Sequence, residues 1–126
     1  MRIGELARRT GTSVRMLRYY EQQGLLASVR TEGGQRTYGS DDLQRVELLR
    51  ALFGAGLSSR TIAEVMPCVD TPSARSVEEA HAVMRRERDR ITATMAALAA
   101  ARRALDDLIA CNEQHQAETD GRRRPA

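Results

Sequence analysis

The chain has 126 residues, 41% hydrophobic and 29% charged, with a formal net charge of +3. That length lies within the range of one domain and leaves little sequence for a catalytic domain beside a binding head. No apolar run is long enough to cross a bilayer and no basic start leads into a short apolar stretch, so neither a membrane partner nor a secretory leader is expected, and the chain reads as cytoplasmic.

Ile3, Leu6 and Ala7 share one face of a short helix that stops near Thr10-Gly11, and Thr12-Ser13 supply N-cap hydroxyls for a second helix. In that helix Val14, Leu17 and one or both of Tyr20 and Glu21 follow helical spacing inward, while Arg15, Arg18 and Tyr19 point elsewhere. Gly24 closes it at the position after the C-cap. Residues 25 to 30 and 35 to 38 are short extended candidates around Gly33-Gly34, whose freedom to adopt positive φ suits a hairpin turn. This predicts a helix-turn-helix followed by a two-stranded wing.

Ser40 is expected to cap a third helix with Asp41 and Asp42 in its first turn and an apolar stripe of Leu43, Val46, Leu49, Leu52 and Phe53. Gly56 ends it, Ser58 or Ser59 starts a fourth helix carrying Ile62, Val65 and Met66, and Pro67 terminates that one. Residues 67 to 76 read as linker. Ser76-Val77-Glu78-Glu79 has the form of a capping box, so a long helix is expected from residue 77 to about 117, free of Pro and Gly.

Along that helix, positions 77 to 112 repeat in steps of three and four, which is a coiled-coil seam with polar interruptions. Its dimerisation residues are Val77, His81, Met84, Ile91, Met95, Leu98, Leu105 and Ile109. An amphipathic stripe of this length needs a partner, and a second copy about a two-fold axis is the simplest one. The expected organisation is thus a DNA-binding head over 1–70, a linker over 71–76, a dimerisation helix over 77–117 and a disordered tail over 118–126. The fold class is mainly α, with a winged helix-turn-helix head and a long coiled-coil helix.

Positive charge is concentrated at the start: residues 1 to 38 hold Arg2, Arg8, Arg9, Arg15, Arg18, Arg30 and Arg36 against Glu5, Glu21 and Glu32. A second helix of this kind reads the major groove from its N-terminal part, which makes Ser13, Arg15, Arg18 and Tyr19 candidates for phosphate and base contact. Arginine suits the task because its planar fork holds a phosphate or a guanine with two bonds.

Four motifs in order, Ile3-Gly4-Glu5-Leu6-Ala7, Leu17-Arg18-Tyr19-Tyr20-Glu21, Gly24-Leu25-Leu26 and Gly34-Gln35-Arg36-Thr37-Tyr38, resemble the MerR family of bacterial transcription regulators. The resemblance covers residues 3 to 66 by motif and the long helix by shape. It implies a homodimer held by antiparallel long helices, which binds between promoter elements with an overlong spacer and bends and untwists the DNA so that RNA polymerase engages both. It also implies DNA contacts from Arg18 and Tyr19 on the recognition helix and from Arg36 and Tyr38 on the wing, with Tyr20 in the core and Arg60 reaching a flanking phosphate. Double-stranded promoter DNA, RNA polymerase and a second copy are then the partners, near the nucleoid. The short charged segment after the long helix suggests a member without a large C-terminal effector domain.

Cys68 and Cys111 belong to no CxxC pair, so no disulfide framework, structural zinc or other cofactor is expected. Cys111 and His115 stand one helical turn apart, and antiparallel pairing about Met95 to Leu98 would bring the other copy's His81 near Cys111, giving a three-ligand metal site as an alternative reading. A second alternative is an architectural DNA-bending protein without effector. An enzyme is not expected, because no nucleophile, base and orienting partner stand out and no phosphate-cradling glycine loop occurs.

Overall fold

The computed structural model describes residues 1 to 123. In chain order the elements are α1 (Ile3–Thr10), α2 (Val14–Gln22), β1 (Val29–Arg30), β2 (Arg36–Thr37), α3 (Ser40–Gly54), α4 (Ser59–Val65), α5 (Pro67–Asp70) and α6 (Ala74–Arg123). They form two compact units, Met1–Arg85 and Arg86–Ala126.

In the first unit the α1–α2 turn is made by Gly11, whose φ of +67° is the left-handed conformation that glycine adopts without a Cβ penalty. Ser13 caps α2, its Oγ accepting from the Met16 amide at 3.1 Å. Leu6, Leu17, Leu25, Val46, Leu49 and Ile62 are fully buried and knit α1 to α4 into one core, joined by Tyr20, Leu26 and Tyr38. Each such side chain withdrawn from water contributes about 1.5–3 kcal/mol before the cost of ordering the chain.

The wing is an antiparallel pair with Val29 opposite Thr37 and Arg30 opposite Arg36. It is shorter than the expected extended stretches. Its loop closes through Gly34 N–H to Thr31 O at 2.9 Å and Thr31 N–H to Gln35 O at 2.8 Å, with Gly34 at φ +79°. This is the three-residue hairpin loop that ends on a left-handed residue, so one of the paired glycines carries the positive φ. The N-terminus pins the wing, with Tyr38 N–H donating to Met1 O at 2.7 Å and the Met1 amine donating to Tyr38 O at 2.8 Å.

Several boundaries differ from the sequence expectation. Ser40 is the first residue of α3 and Gly39 the cap, its amide donating to Asp42 Oδ2 at 2.8 Å. Pro67 stops α4 but opens α5, where its missing N–H belongs to a first turn that needs no donor. The long helix starts at Ala74, not 77. Ser73 and Ser76 cap each other, Ser73 N–H to Ser76 Oγ at 2.8 Å and Ser76 N–H to Ser73 Oγ at 3.0 Å, and Glu79 pairs instead with Arg75 at 2.9 Å. The cap lies one turn earlier than the Ser76-to-Glu79 pattern predicts, because Ser-x-x-Ser presents the same reciprocal oxygens as Ser-x-x-Glu.

Ala80 and Val83, early in α6, are buried against Val65 with Cys68 beside them. The first turns of α6 therefore belong to the head's packing. In the second unit the helix continues through Arg123, so residues 118–123 are helical where a disordered tail was expected, and the rest of that tail lies outside the described residues.

Candidate nucleic-acid interface

Leu17 and Tyr20 bury one face of α2, which turns Arg15, Arg18 and Tyr19 to the surface together. Tyr19 is 37% exposed and leans on Phe53, with centroids 6.1 Å apart. Tyr20, as expected, is core. Ser13 is exposed at the cap; its lone pair is used by Met16, and its hydroxyl proton remains for a phosphate. Val14, Arg15, Arg18, Tyr19 and Gln22 line one shallow depression on this face.

Arg36 reaches from the wing to α2, where its Nη1 meets Glu21 Oε2 at 3.0 Å with half of the arginine side chain exposed. Arg18, Glu21, Arg30 and Arg36 border an open groove of about 440 Å³ between α2 and the wing. Three guanidiniums against one carboxylate leave that groove positively charged. Arg30 went unassigned by sequence reasoning, and the strand register is what reveals it, since it stands directly opposite Arg36.

Tyr38 corrects the sequence expectation of a wing contact. It is buried, 3% exposed, and its hydroxyl donates to Glu21 Oε1. Burial pushes the phenol up to about 12, the hydrogen bond and charge of Glu21 adding to the rise and Arg36 opposing it. It stays protonated and serves as a wing anchor. Glu21 in turn has both oxygens occupied by the wing, a role that alternation in a two-residue strand was too short to signal.

Arg60 is exposed in the first turn of α4. Ser58 caps that helix by accepting from Thr61 N–H at 3.2 Å, and Ser59 donates to Gln23 Oε1 at 3.0 Å, so the start of α4 abuts the end of α2. Arg45 ties the same unit together from another side, its guanidinium bonded to Asp70 and to the Leu25 carbonyl.

The expected dimerisation residues Val77, His81, Met84, Ile91, Met95, Leu98, Leu105 and Ile109 are all exposed in the single chain, Met95 by 64% and Leu98 by 65%. Leu108, which the repeat of threes and fours passed over, is 64% exposed as well. Cys111 and His115 are exposed one turn apart, bordering a small depression with Gln114 and Glu118. Among the described residues no group of three or more His, Cys, Asp or Glu side chains could hold a metal ion. Nor is any described helix long and apolar enough to cross a membrane.

Residues 1–67 match the model of the MerR HTH family regulatory proteins. The chain is 52% identical over 66 residues to the nodulation protein NolA of Bradyrhizobium elkanii, a match that covers 52% of this chain and spans 30% of that protein's length. It is 32% identical over 117 residues to the HTH-type transcriptional regulator ZntR of Escherichia coli K12, covering 90% of this chain and 83% of ZntR. Among solved structures, the regulator PbrR691 from Ralstonia metallidurans CH34 in complex with lead(II) superposes with a TM-score of 0.74 at 31% identity, over 86% of this chain and 84% of that one. HiNmlR, a MerR family regulator lacking the sensor domain and bound to promoter DNA, gives a TM-score of 0.64 at 25% identity over 92% of both.

Proposed function

The chain belongs to the MerR HTH family of regulatory proteins, and from that premise we propose that it binds promoter DNA as a homodimer and regulates transcription by bending and untwisting the spacer. One observation carries the reading: the exposed Arg15, Arg18 and Tyr19 face of α2 lies beside a groove that Arg36 and Arg30 of the wing make positive. Phosphate contacts from both elements supply sequence-independent affinity and orientation, and the helix face supplies base contacts. Ser13 and Arg60 add phosphate contacts at the two edges.

A single head of this size holds few base contacts, so specific binding rests on two heads joined through α6. The exposed Met95, Leu98, Leu105 and Ile109 are the surface for that union. Deforming the spacer costs a few kcal/mol, which contacts at two heads a fixed distance apart offset. RNA polymerase then meets both promoter elements on the bent DNA. The protein works in the cytoplasm, on the nucleoid, and acts by binding rather than by catalysis.

The deciding experiment is to incubate the purified chain with fragmented genomic DNA at moderate salt and sequence what it retains. An inverted repeat between promoter elements with an overlong spacer is the expected result. Sequence-indifferent retention would replace this reading by an architectural DNA-bending protein. A metal-responsive variant draws support from the exposed Cys111 and His115 pair and from the lead(II) held by PbrR691. Two donors fall short of the three or four that a soft-ion site uses, so this reading requires His81 of a second copy. Equilibrium dialysis with zinc or lead that finds no ion retained by the dimer would remove it.

A further inference from the structure

The wing has two residues per strand, too few to hold its own position, since an isolated hairpin is marginal even when longer. Its cross-strand pair of Arg30 and Arg36 places like charges directly opposite each other, which weakens it further. Its place beside α2 is therefore set by contacts outside the hairpin. Arg2 donates to Gln35 Oε1 at 2.5 Å and the N-terminus pairs with Tyr38 on one side. On the other, Glu21 binds the wing with both carboxylate oxygens, Oε2 to Arg36 and Oε1 to Tyr38.

We propose that Glu21 is a specificity-determining positioning residue: its carboxylate fastens Arg36 of the wing to the recognition helix, so that wing and helix meet the DNA at one fixed spacing. This rests on the promoter-binding reading. Glu21 lies one turn beyond Arg18 on α2, and its side chain is 15% exposed, so water competes weakly for its oxygens. It occupies Arg36 Nη1 and leaves the rest of the guanidinium fork for a phosphate. Holding the fork rigid removes freedom that a loose wing would use to find phosphates on any duplex. By pairing with Arg36 the same carboxylate also offsets that arginine's own charge, which lowers its share of the sequence-independent part of binding. Both effects widen the gap between the right duplex and a wrong one.

The test compares the duplex that the wild-type chain enriches most from genomic fragments with a scrambled duplex of equal length, over a series of salt concentrations. Glu21→Gln keeps the shape of the side chain and removes its charge. It is expected to bind the scrambled duplex more tightly, with a salt dependence steeper by about one phosphate contact, and to lose roughly three- to tenfold in the ratio of selected to scrambled affinity. Glu21→Asp, which keeps the charge, should recover part of that ratio. Tyr38→Phe, which leaves the Arg36 pair in place, should leave it unchanged. In an Arg36→Ala background Glu21→Gln should have no further effect on the ratio, because the residue acts through Arg36.

A ratio unchanged by Glu21→Gln, or an equal loss in the Arg36→Ala background, overturns the proposal. If Glu21→Gln lowers the melting temperature, the Glu21→Asp and Tyr38→Phe comparison decides by itself: equal loss in both marks a merely structural anchor and overturns it. A wild-type chain that enriches no duplex at all overturns the promoter-binding reading first, and this proposal with it, which separates the two failures.

Discussion

The ring of Tyr20 lies parallel to that of Phe53, with centroids 5.3 Å apart and planes 6° apart, and this contact sets α2 against α3. Tyr20 is 2% exposed, and its neighbours Arg18 and Tyr19 inherit their outward direction from its burial. Tyr20→Ala is expected to destabilise the head by about 3–5 kcal/mol, through lost burial and the cavity left behind. Thermal unfolding followed by circular dichroism checks this. A change below 1 kcal/mol, on the order of a surface substitution, would mean the recognition helix is held elsewhere.

Arg18→Ala removes a side chain that is exposed and lines both depressions on the α2 face. Affinity for the selected duplex should fall by roughly 1–3 kcal/mol while the melting temperature stays put. Fluorescence anisotropy gives the first quantity and calorimetry the second. An unchanged binding curve would remove Arg18 from the interface.

Tyr38 ties pH to stability in a defined direction. Its folded pKa of about 12 exceeds the ordinary 10.0, so the neutral phenol is the form the fold prefers. The stabilisation is complete below about pH 10 and is lost as pH rises through the folded value. Tyr38→Phe should cost about 1.5–3 kcal/mol at neutral pH, as for a hydrogen bond to a charged acceptor, and flatten the alkaline loss. Urea midpoints at about pH 8 and about pH 11 would show the two proteins converging. Parallel curves would place the alkaline loss in another group.

Met95→Glu combined with Leu98→Glu puts like charges into the centre of the exposed α6 stripe. Each apolar side chain buried there contributes about 1.5–3 kcal/mol, and two copies lose two apiece, so the dissociation constant should rise by at least a factor of about a hundred. The head, in which Val83 is the last buried residue among those described, should keep its melting temperature. Sedimentation velocity reads the first outcome. A variant that remains dimeric would place the interface off this stripe.

Sequence patterning identified α1 to α4 because each had both an apolar period and a stop, at Gly11, Gly24, Gly56 and Pro67, the three glycines all taking positive φ, whereas α5 lies in what it read as linker. It missed where α6 begins, since Ser73 and Ser76 form a cap with two hydroxyls in place of hydroxyl and carboxylate. It also divided the head from the long helix at 71–76, although Ala80 and Val83 are part of the head's packing on Val65. Helical spacing shows that such residues share a face, and says nothing of which neighbour covers it.

What the residues determined alone was local: helix ends, the face of α2 that carries Arg15, Arg18 and Tyr19, and the hairpin turn, all of which depend on backbone preference and periodicity within a few positions. Only the tertiary structure decided that Tyr38 is an anchor inside the head and that Arg30, Arg36 and Arg18 share a groove with Glu21. Those outcomes join residues fifteen and more positions apart, Glu21 to Arg36 and Glu21 to Tyr38. No local preference encodes such pairs; they exist because the core brings the wing beside α2, where a largely buried carboxylate must be satisfied by whatever donors arrive.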